Sequence, residues 1–265
     1  VVKCAYGIPR FYTLDPARGF EPDLATLSAL VSPRTKAIMV NSPSNPTGAV
    51  LSAATVQGLV DFAVRHDLYV VSDEVYEDCV FEGEAVSPLA LTDEPRMIGI
   101  YSVSKTYAMT GWRVGYVAAP QHIAEPLAKL QEPYVASTNA IAQKAAVAAL
   151  LGPQECVEEM RRAYAHRRDR AIELLRRFDV PHFPPSGAFY VMIDTSAVSP
   201  DSDAVCESLL LERHVAVCPG TAFGEVASGW VRVSLATAEP LLLEGLERLA
   251  AFVRERGRSP ARLEA

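Results

Sequence analysis

Short apolar runs alternate with longer stretches of helical period over the first half of the chain. KAIMVN, from Lys36 to Asn41, is a β-branched apolar run closed by the breaker-rich SPSNPTG, which predicts a buried strand ending in a loop. Ser52 then opens a helical pattern with Val56, Leu59, Val60, Ala63 and Val64 on one face, and DLYVVS, Asp67 to Ser72, returns as a strand. MIGIYS (Met97 to Ser102) and VGYVAAP (Val114 to Pro120) predict a third and a fourth strand. Strands separated by helices imply an α/β fold, a mostly parallel sheet with helices on both faces.

From Gln154 to Phe178 the apolar positions Val157, Met160, Tyr164, Ala171, Leu174, Leu175 and Phe178 alternate with arginines and glutamates, the pattern of one long amphipathic helix. Beyond Pro181 the rhythm changes. AFYVMID, HVAVCPG and GWVRVSLA read as strands, with helices near Asp203 to Arg213 and Pro240 to Arg254, which predicts a smaller α+β domain. The expected organisation is a large domain over 1–152, an interdomain helix over 153–180 and a small C-terminal domain over 181–265. The closing GRSPARLEA lacks apolar periodicity and is expected to fray.

Composition narrows the function classes. A chain of 265 residues with 49% hydrophobic and 22% charged residues is an ordinary globular protein, long enough for a sizeable core. Its net charge of -7 and the lack of a basic tract argue against nucleic acid or an anionic membrane surface as partner, and favour small molecules. No apolar run is long enough for a membrane span and no signal-like segment opens the chain, so a cytoplasmic protein is expected. The five cysteines, Cys4, Cys79, Cys156, Cys206 and Cys218, lack CxxC spacing, which suggests reduced, mostly buried thiols and no metal site.

Open α/β sheets bind ligands beyond the carboxyl ends of their strands. The unusual polar residues fall there: Asn45 after the first strand, Asp73 and Tyr76 after the second, and Ser102, Ser104 and Lys105 after the third. Each has a bland explanation, since NPTG makes a good turn, Asp73 could cap a helix begun by EVYED, and most lysines are solvated. As a set they are harder to dismiss. A lysine, an aspartate, a hydroxyl pair and the arginine Arg113 are the groups that an aldehyde cofactor with a pyridine ring and a phosphate requires. Neither GxGxxG nor GxxxxGK[ST] occurs. Arg232 lies between Val231 and Val233 in an otherwise apolar strand, either at an exposed edge or aimed at a ligand. The five histidines share no spacing that points to catalysis.

NSPSNPTGAV, VVSDEVYED, YSVSKTYAMTGWRVGY, SGAFYVMI, CPGTAFG and WVRVSLA together carry a resemblance over essentially the whole chain. The chain resembles the pyridoxal-phosphate enzymes of fold type I, and within them the class I/II aminotransferases of the aspartate aminotransferase family. The lysine block SxSKxxxxxGxR is the most specific part. The resemblance implies transamination of an α-amino acid with a 2-oxo acid, with Lys105 forming the Schiff base to pyridoxal phosphate and then carrying the α-proton. It makes Asp73 the partner of the pyridine nitrogen, and Asn45 and Tyr76 donors to the ring's phenolic oxygen. Ser102, Ser104 and Arg113 hold the phosphate, and Arg232 takes the substrate α-carboxylate, with Asn45 beside it. It also implies a homodimer.

The family's amino-terminal arm, a glycine-containing phosphate loop and a ring-stacking aromatic would lie upstream of Val1, where this sequence does not extend. Three alternatives follow: a β-eliminating lyase, a cyclising synthase on the same scaffold, or a non-catalytic remnant. The TGWR ending of the lysine block leans toward transamination.

Overall fold

A computed structural model describes residues 2–257; the tail expected to fray lies, from residue 258 onward, outside the described residues. The chain forms two compact units, one of residues 2–42, 49–77 and 84–153, the other of 43–48, 78–83 and 154–257.

The first unit carries, in chain order, α1 (Leu24–Ser28), β1 (Ala37–Asn41), α2 (Ala53–Arg65), β2 (Tyr69–Asp73), α3 (Pro88–Leu91), β3 (Met97–Ser102), α4 (Val103–Thr106), β4 (Gly115–Ala118), α5 (Gln121–Val135) and α6 (Ala140–Leu151). Its sheet has the order β1-β2-β3-β4, with the first two pairings parallel and β4 antiparallel at the edge. This is the mostly parallel α/β sheet that the strand–helix alternation implies. Ile38, Val40, Val70 and Met97 point to one face, where they meet Val56, Leu59, Val60, Phe62 and Ala63 of α2 and Leu27 of α1 in a continuous apolar core. Helix α2 starts where its cap allows: Ser52 Oγ accepts from the Thr55 amide.

The second unit carries α7 (Glu155–Arg177), β5 (His182–Phe183), β6 (Tyr190–Asp194), α8 (Ser202–Arg213), β7 (Cys218–Pro219), β8 (Trp230–Ser234) and α9 (Glu239–Gly257). Its sheet, order β5-β6-β8-β7, is antiparallel throughout. Leu174 and Leu175 of α7 and Leu246, Leu249, Phe252 and Val253 of α9 are buried, as are Val231 and Val233 of β8.

Several expectations need correction. HVAVCPG contributes only two strand residues, because His214 takes a left-handed conformation and the Val215 amide closes α8 on Leu209 O, while a 3-10 turn begins at Gly220. The helices α5 and α6 were not anticipated. α5 holds Pro126 and Pro133 inside it, and α6 (AIAQKAAVAALL) is apolar apart from the adjacent Gln143 and Lys144 and so shows no one-sided stripe. The thiols are not mostly buried either: Cys79 is buried, whereas Cys4, in a short 3-10 turn, and Cys156, in the first turn of α7, are exposed.

Two short segments that follow β1 and β2 belong to the second unit and are tied to its SGAF stretch. Ser186 and Gly187 both donate to Gly48 O, Phe81 and Glu82 donate to Ser186 O, and Ala188 donates to Cys79 O at 2.7 Å. Arg168, nearly buried on α7, donates to Glu82 at 2.6 Å and to Pro185 O at 3.2 Å. Gly48 has φ +70, and a Cβ there would stand 2.2 Å from Pro185 Cβ and 2.8 Å from Gly187 O, so glycine is required.

Candidate active site

The parallel register of the first unit sets its polar residues side by side. Asn41 pairs with Asp73 and Asp73 with Ile100, so β1, β2 and β3 reach the same edge and release their chains there. The Asn41 side chain donates to Asp73 O at 3.0 Å, and the Glu74 amide donates to Ile100 O, which holds the end of β2 between its neighbours.

Asp73 is the last residue of β2 and is half-buried. Residues 74–78 form a turn and not the helix that would make Asp73 a cap; its carboxylate receives only a long bond from the Val75 amide, 3.4 Å. Burial raises its pKa, the backbone bond offsetting only part of that. Among the described residues no lysine, arginine or histidine pairs with it. The neighbouring Glu74, by contrast, is buried and satisfied, accepting from Ser87 Oγ at 2.8 Å and Tyr101 OH at 3.1 Å. Burial, with the nearby Glu74 charge, pushes Tyr101 up to about 12 against the help of Ser87, and its ring stacks on Tyr116 of β4. Tyr76 follows in the same turn and is buried.

Lys105 lies in the four-residue helix α4 that begins as β3 ends. Ser102 caps that helix: its Oγ accepts from the Ser104 amide at 3.1 Å and donates to Val114 O at 3.3 Å. Ser104 is buried, and its carbonyl accepts from Thr110 Oγ1. Arg113 is exposed and has φ 53 and ψ 50, a left-handed conformation that costs a non-glycine residue about 1–3 kcal/mol. Its Nη1 donates to Thr110 O at 2.9 Å, tying it back to the loop that follows Lys105.

In the second unit, β8 is an interior strand between β6 and β7, so Arg232 is not at an exposed edge. Val231 and Val233 take the core face, and Arg232 takes the other. Its Nη1 donates to Asn45 Oδ1 at 2.8 Å, joining residues 187 positions apart. The guanidinium carbon lies 4.4 Å from the Tyr190 ring centre and 4.8 Å from that of Phe223. Nε is buried without an acceptor, and among the described residues no carboxylate pairs with this arginine.

The predicted residues therefore fall into two groups. Asp73, Tyr76, Ser102, Ser104, Lys105 and Arg113 belong to the first unit, and Asn45 and Arg232, hydrogen-bonded to each other, to the second. Tyr190 and Phe223 were not singled out. Their motifs, SGAFYVMI and CPGTAFG, were visible, but only the tertiary contact with Arg232 gives those rings a use. Among the described residues no cluster of three or more His, Cys, Asp or Glu could hold a metal ion, and no helix is long and apolar enough to cross a membrane.

A mostly parallel sheet with a lysine-bearing turn at the carboxyl end of β3, and an antiparallel second unit with a buried arginine strand, is the architecture of fold-type I transferases. The profile of the aminotransferase class I and II family matches residues 1–249, and the chain belongs to that family. It is 42% identical over 253 residues to an aspartate/prephenate aminotransferase of Thermus thermophilus, covering 94% of this chain and 65% of that protein. It is 38% identical to aromatic-amino-acid aminotransferase 2 of Thermococcus litoralis, over 89% of this chain and 62% of that one. Among solved structures, an aspartate aminotransferase double mutant of Thermus thermophilus superposes with a TM-score of 0.89 at 41% identity, over 94% of this chain and 65% of that one. The chain thus spans somewhat less than two thirds of the length of these relatives.

Proposed function

We propose that the full-length protein is a pyridoxal-phosphate-dependent aminotransferase that exchanges an amino group between an α-amino acid and a 2-oxo acid, and that it works as a homodimer. The observation that carries this reading is Asp73, a half-buried carboxylate with no cationic partner among the described residues, at the same sheet edge as the lysine-bearing turn. A carboxylate held from water without a counter-charge suits a ligand that brings its own positive charge, as a protonated pyridine nitrogen does. The donor set around α4, with hydroxyls, Lys105 and Arg113, likewise suits a phosphate and an aldehyde.

Pyridoxal phosphate, when bound, supplies the aldehyde that takes the amino group and the ring that accepts the electron pair left at the substrate α-carbon. Asp73 would hold the ring nitrogen in its protonated form. Lys105 Nζ would take up the aldehyde group between turnovers, and its amine would carry the proton to and from the substrate α-carbon. Tyr76 would donate to the ring's phenolic oxygen, while Ser102, Ser104 and Arg113 would hold the phosphate. Ser102 contributes chiefly through its capping bond, which fixes the turn that presents Lys105. Arg232 takes the α-carboxylate with the donors that Asn45 leaves unused.

The named relatives act on aspartate, prephenate or aromatic amino acids, and what those substrates share is the α-carboxylate that Arg232 would address. The homodimer is supported by α5, which buries no residue, and by exposed Ile141, Val147 and Leu151 on α6.

The test uses the full-length protein loaded with pyridoxal phosphate. Borohydride treatment and peptide mapping should place the cofactor on Lys105. One amino acid alone should release one equivalent of its 2-oxo acid per site and then stop until a second 2-oxo acid is added. Label on another lysine, or steady release of ammonia with a 2-oxo acid, would overturn it.

A further inference from the structure

We infer that Tyr190 and Phe223 are positioning residues for the carboxylate-binding face of Arg232, and that the aromatic contact, more than the charge alone, sets the protein's affinity for α-carboxylates. The inference rests on the assignment of Arg232 to the substrate carboxylate made above.

An arginine on a β-strand has four rotatable side-chain bonds and a strongly solvated head, so a guanidinium that only has to be positive needs no ring beside it. Arg232 has two. Its central carbon lies 4.4 and 4.8 Å from the Tyr190 and Phe223 ring centres, well inside the range where the ring quadrupole attracts a cation. Arg232 Nη1 in turn donates to Asn45 Oδ1. Ring contacts and one fixed N–H define the plane of the fork and its rotation within that plane. Nε remains without an acceptor. A planar carboxylate profits from such a fork only if both its oxygens meet N–H groups at once, which requires the fork to be held before the ligand arrives.

Each ring is held by its own part of the second unit. Tyr190 opens the central strand β6, is buried, and packs against Phe189, which in turn stacks on Tyr164 of α7. Phe223 closes the 3-10 turn Gly220–Phe223. That turn is wedged so closely that a Cβ on Gly220 would stand 2.0 Å from Ala227 O and 2.7 Å from Trp230 O. The glycine of CPGTAFG thus permits the approach that delivers Phe223 to Arg232. The SGAFY and CPGTAFG stretches of the second unit thus share one task.

The experiment uses the full-length protein loaded with pyridoxal phosphate and measures binding of an α-methyl amino acid, which cannot lose an α-proton, and of the matching amine without a carboxylate. Phe223→Leu should weaken the acid about 2- to 30-fold, the span of a cation–π contact from exposed to desolvated sites, and leave the amine unchanged. KM should rise by a similar factor for every amino acid and 2-oxo acid, with kcat nearly constant, and Phe223→Tyr should restore both. Phe223→Met, which keeps the bulk and removes the ring, repeats the test if the leucine variant fails to fold. Wild-type acid binding in the leucine or methionine variant, alongside lost acid binding in Arg232→Lys, would overturn the inference and leave the assignment of Arg232 standing. Normal acid binding in Arg232→Lys would instead overturn that assignment, and this inference with it.

Discussion

Burial raises the affinity of the Asp73 carboxyl for its proton, so the folded chain pays to keep that residue ionised. Below the ordinary carboxylate pKa of about 3.9 the group is protonated whether the chain is folded or not, and there is no penalty. As the pH rises from there toward the raised folded value, the unfolded chain gives up its proton first and stability falls; above both values the loss is constant. Asp73→Asn should therefore melt higher than wild type at pH 7 in the absence of any cofactor, with the gap closing as the pH drops below the ordinary carboxylate range. Equal melting temperatures at pH 7 would mean that the carboxylate is not desolvated. The cysteines offer a second check. Burial pushes Cys79 up to about 11, and Cys206 likewise to about 11 with help from Cys218 and Asp203, whereas Cys4 and Cys156 are exposed. Alkylation of the folded protein at pH 8, followed by mass mapping, should mark Cys4 and Cys156 first and Cys79 only after unfolding.

Among the elements, the segment 43–48 is held by a close backbone approach at Gly48 and α2 by a side-chain cap, and the two should respond very differently to a methyl group or its loss. Gly48→Ala combines a left-handed backbone with a Cβ placed against Pro185 and the Gly187 carbonyl, a cost of about 2–5 kcal/mol. Ser52→Ala removes the cap bond accepted from the Thr55 amide and the bond donated to Thr55 Oγ1, about 1 kcal/mol. Urea unfolding of the two variants should separate them clearly; similar midpoints would mean that Gly48 is not closely packed. The same contrast explains what could be read from the chain. Strands β1 to β3 and helix α2 follow from local periodicity because each buries one face in the first unit's core, and α7 because it buries Ala171, Leu174 and Leu175 on one side. Asp73 and Lys105 were legible because strand ends in a parallel sheet converge, whatever the rest of the molecule does. The bond between Asn45 and Arg232 joins residues 187 positions apart and has no local signal, and the rings of Tyr190 and Phe223 look like any core aromatics until the fold brings them to a guanidinium. Helix α6 escaped because its apolar run, broken only by the adjacent Gln143 and Lys144, has no period to detect.

At the scale of the whole chain, two quantities oppose one another, a net charge of -7 and an apolar surface concentrated on α5, α6 and β4. Leu127, Leu130 and Tyr134 stand three and four residues apart, one stripe along α5, and Tyr134 is 82% exposed; Leu151 at the end of α6 is 83% exposed, and Tyr116 and Val117 of β4 are exposed as well. Stripes of this kind are ordinarily covered by protein, and repulsion between like-charged copies is the main force set against their pairing here. The segment of 265 residues should therefore associate at micromolar concentration, and more strongly as salt rises from 0.05 to 0.5 M, since screening removes the repulsion and leaves the apolar term. Leu130→Glu isolates the cause. Because α5 buries no residue, that substitution should leave the unfolding free energy within about 0.5 kcal/mol of wild type while it lowers the sedimenting mass. Unchanged association in Leu130→Glu would move the contact away from α5, and a large loss of stability would show that Leu130 is packed within its own unit and not free to meet a second copy.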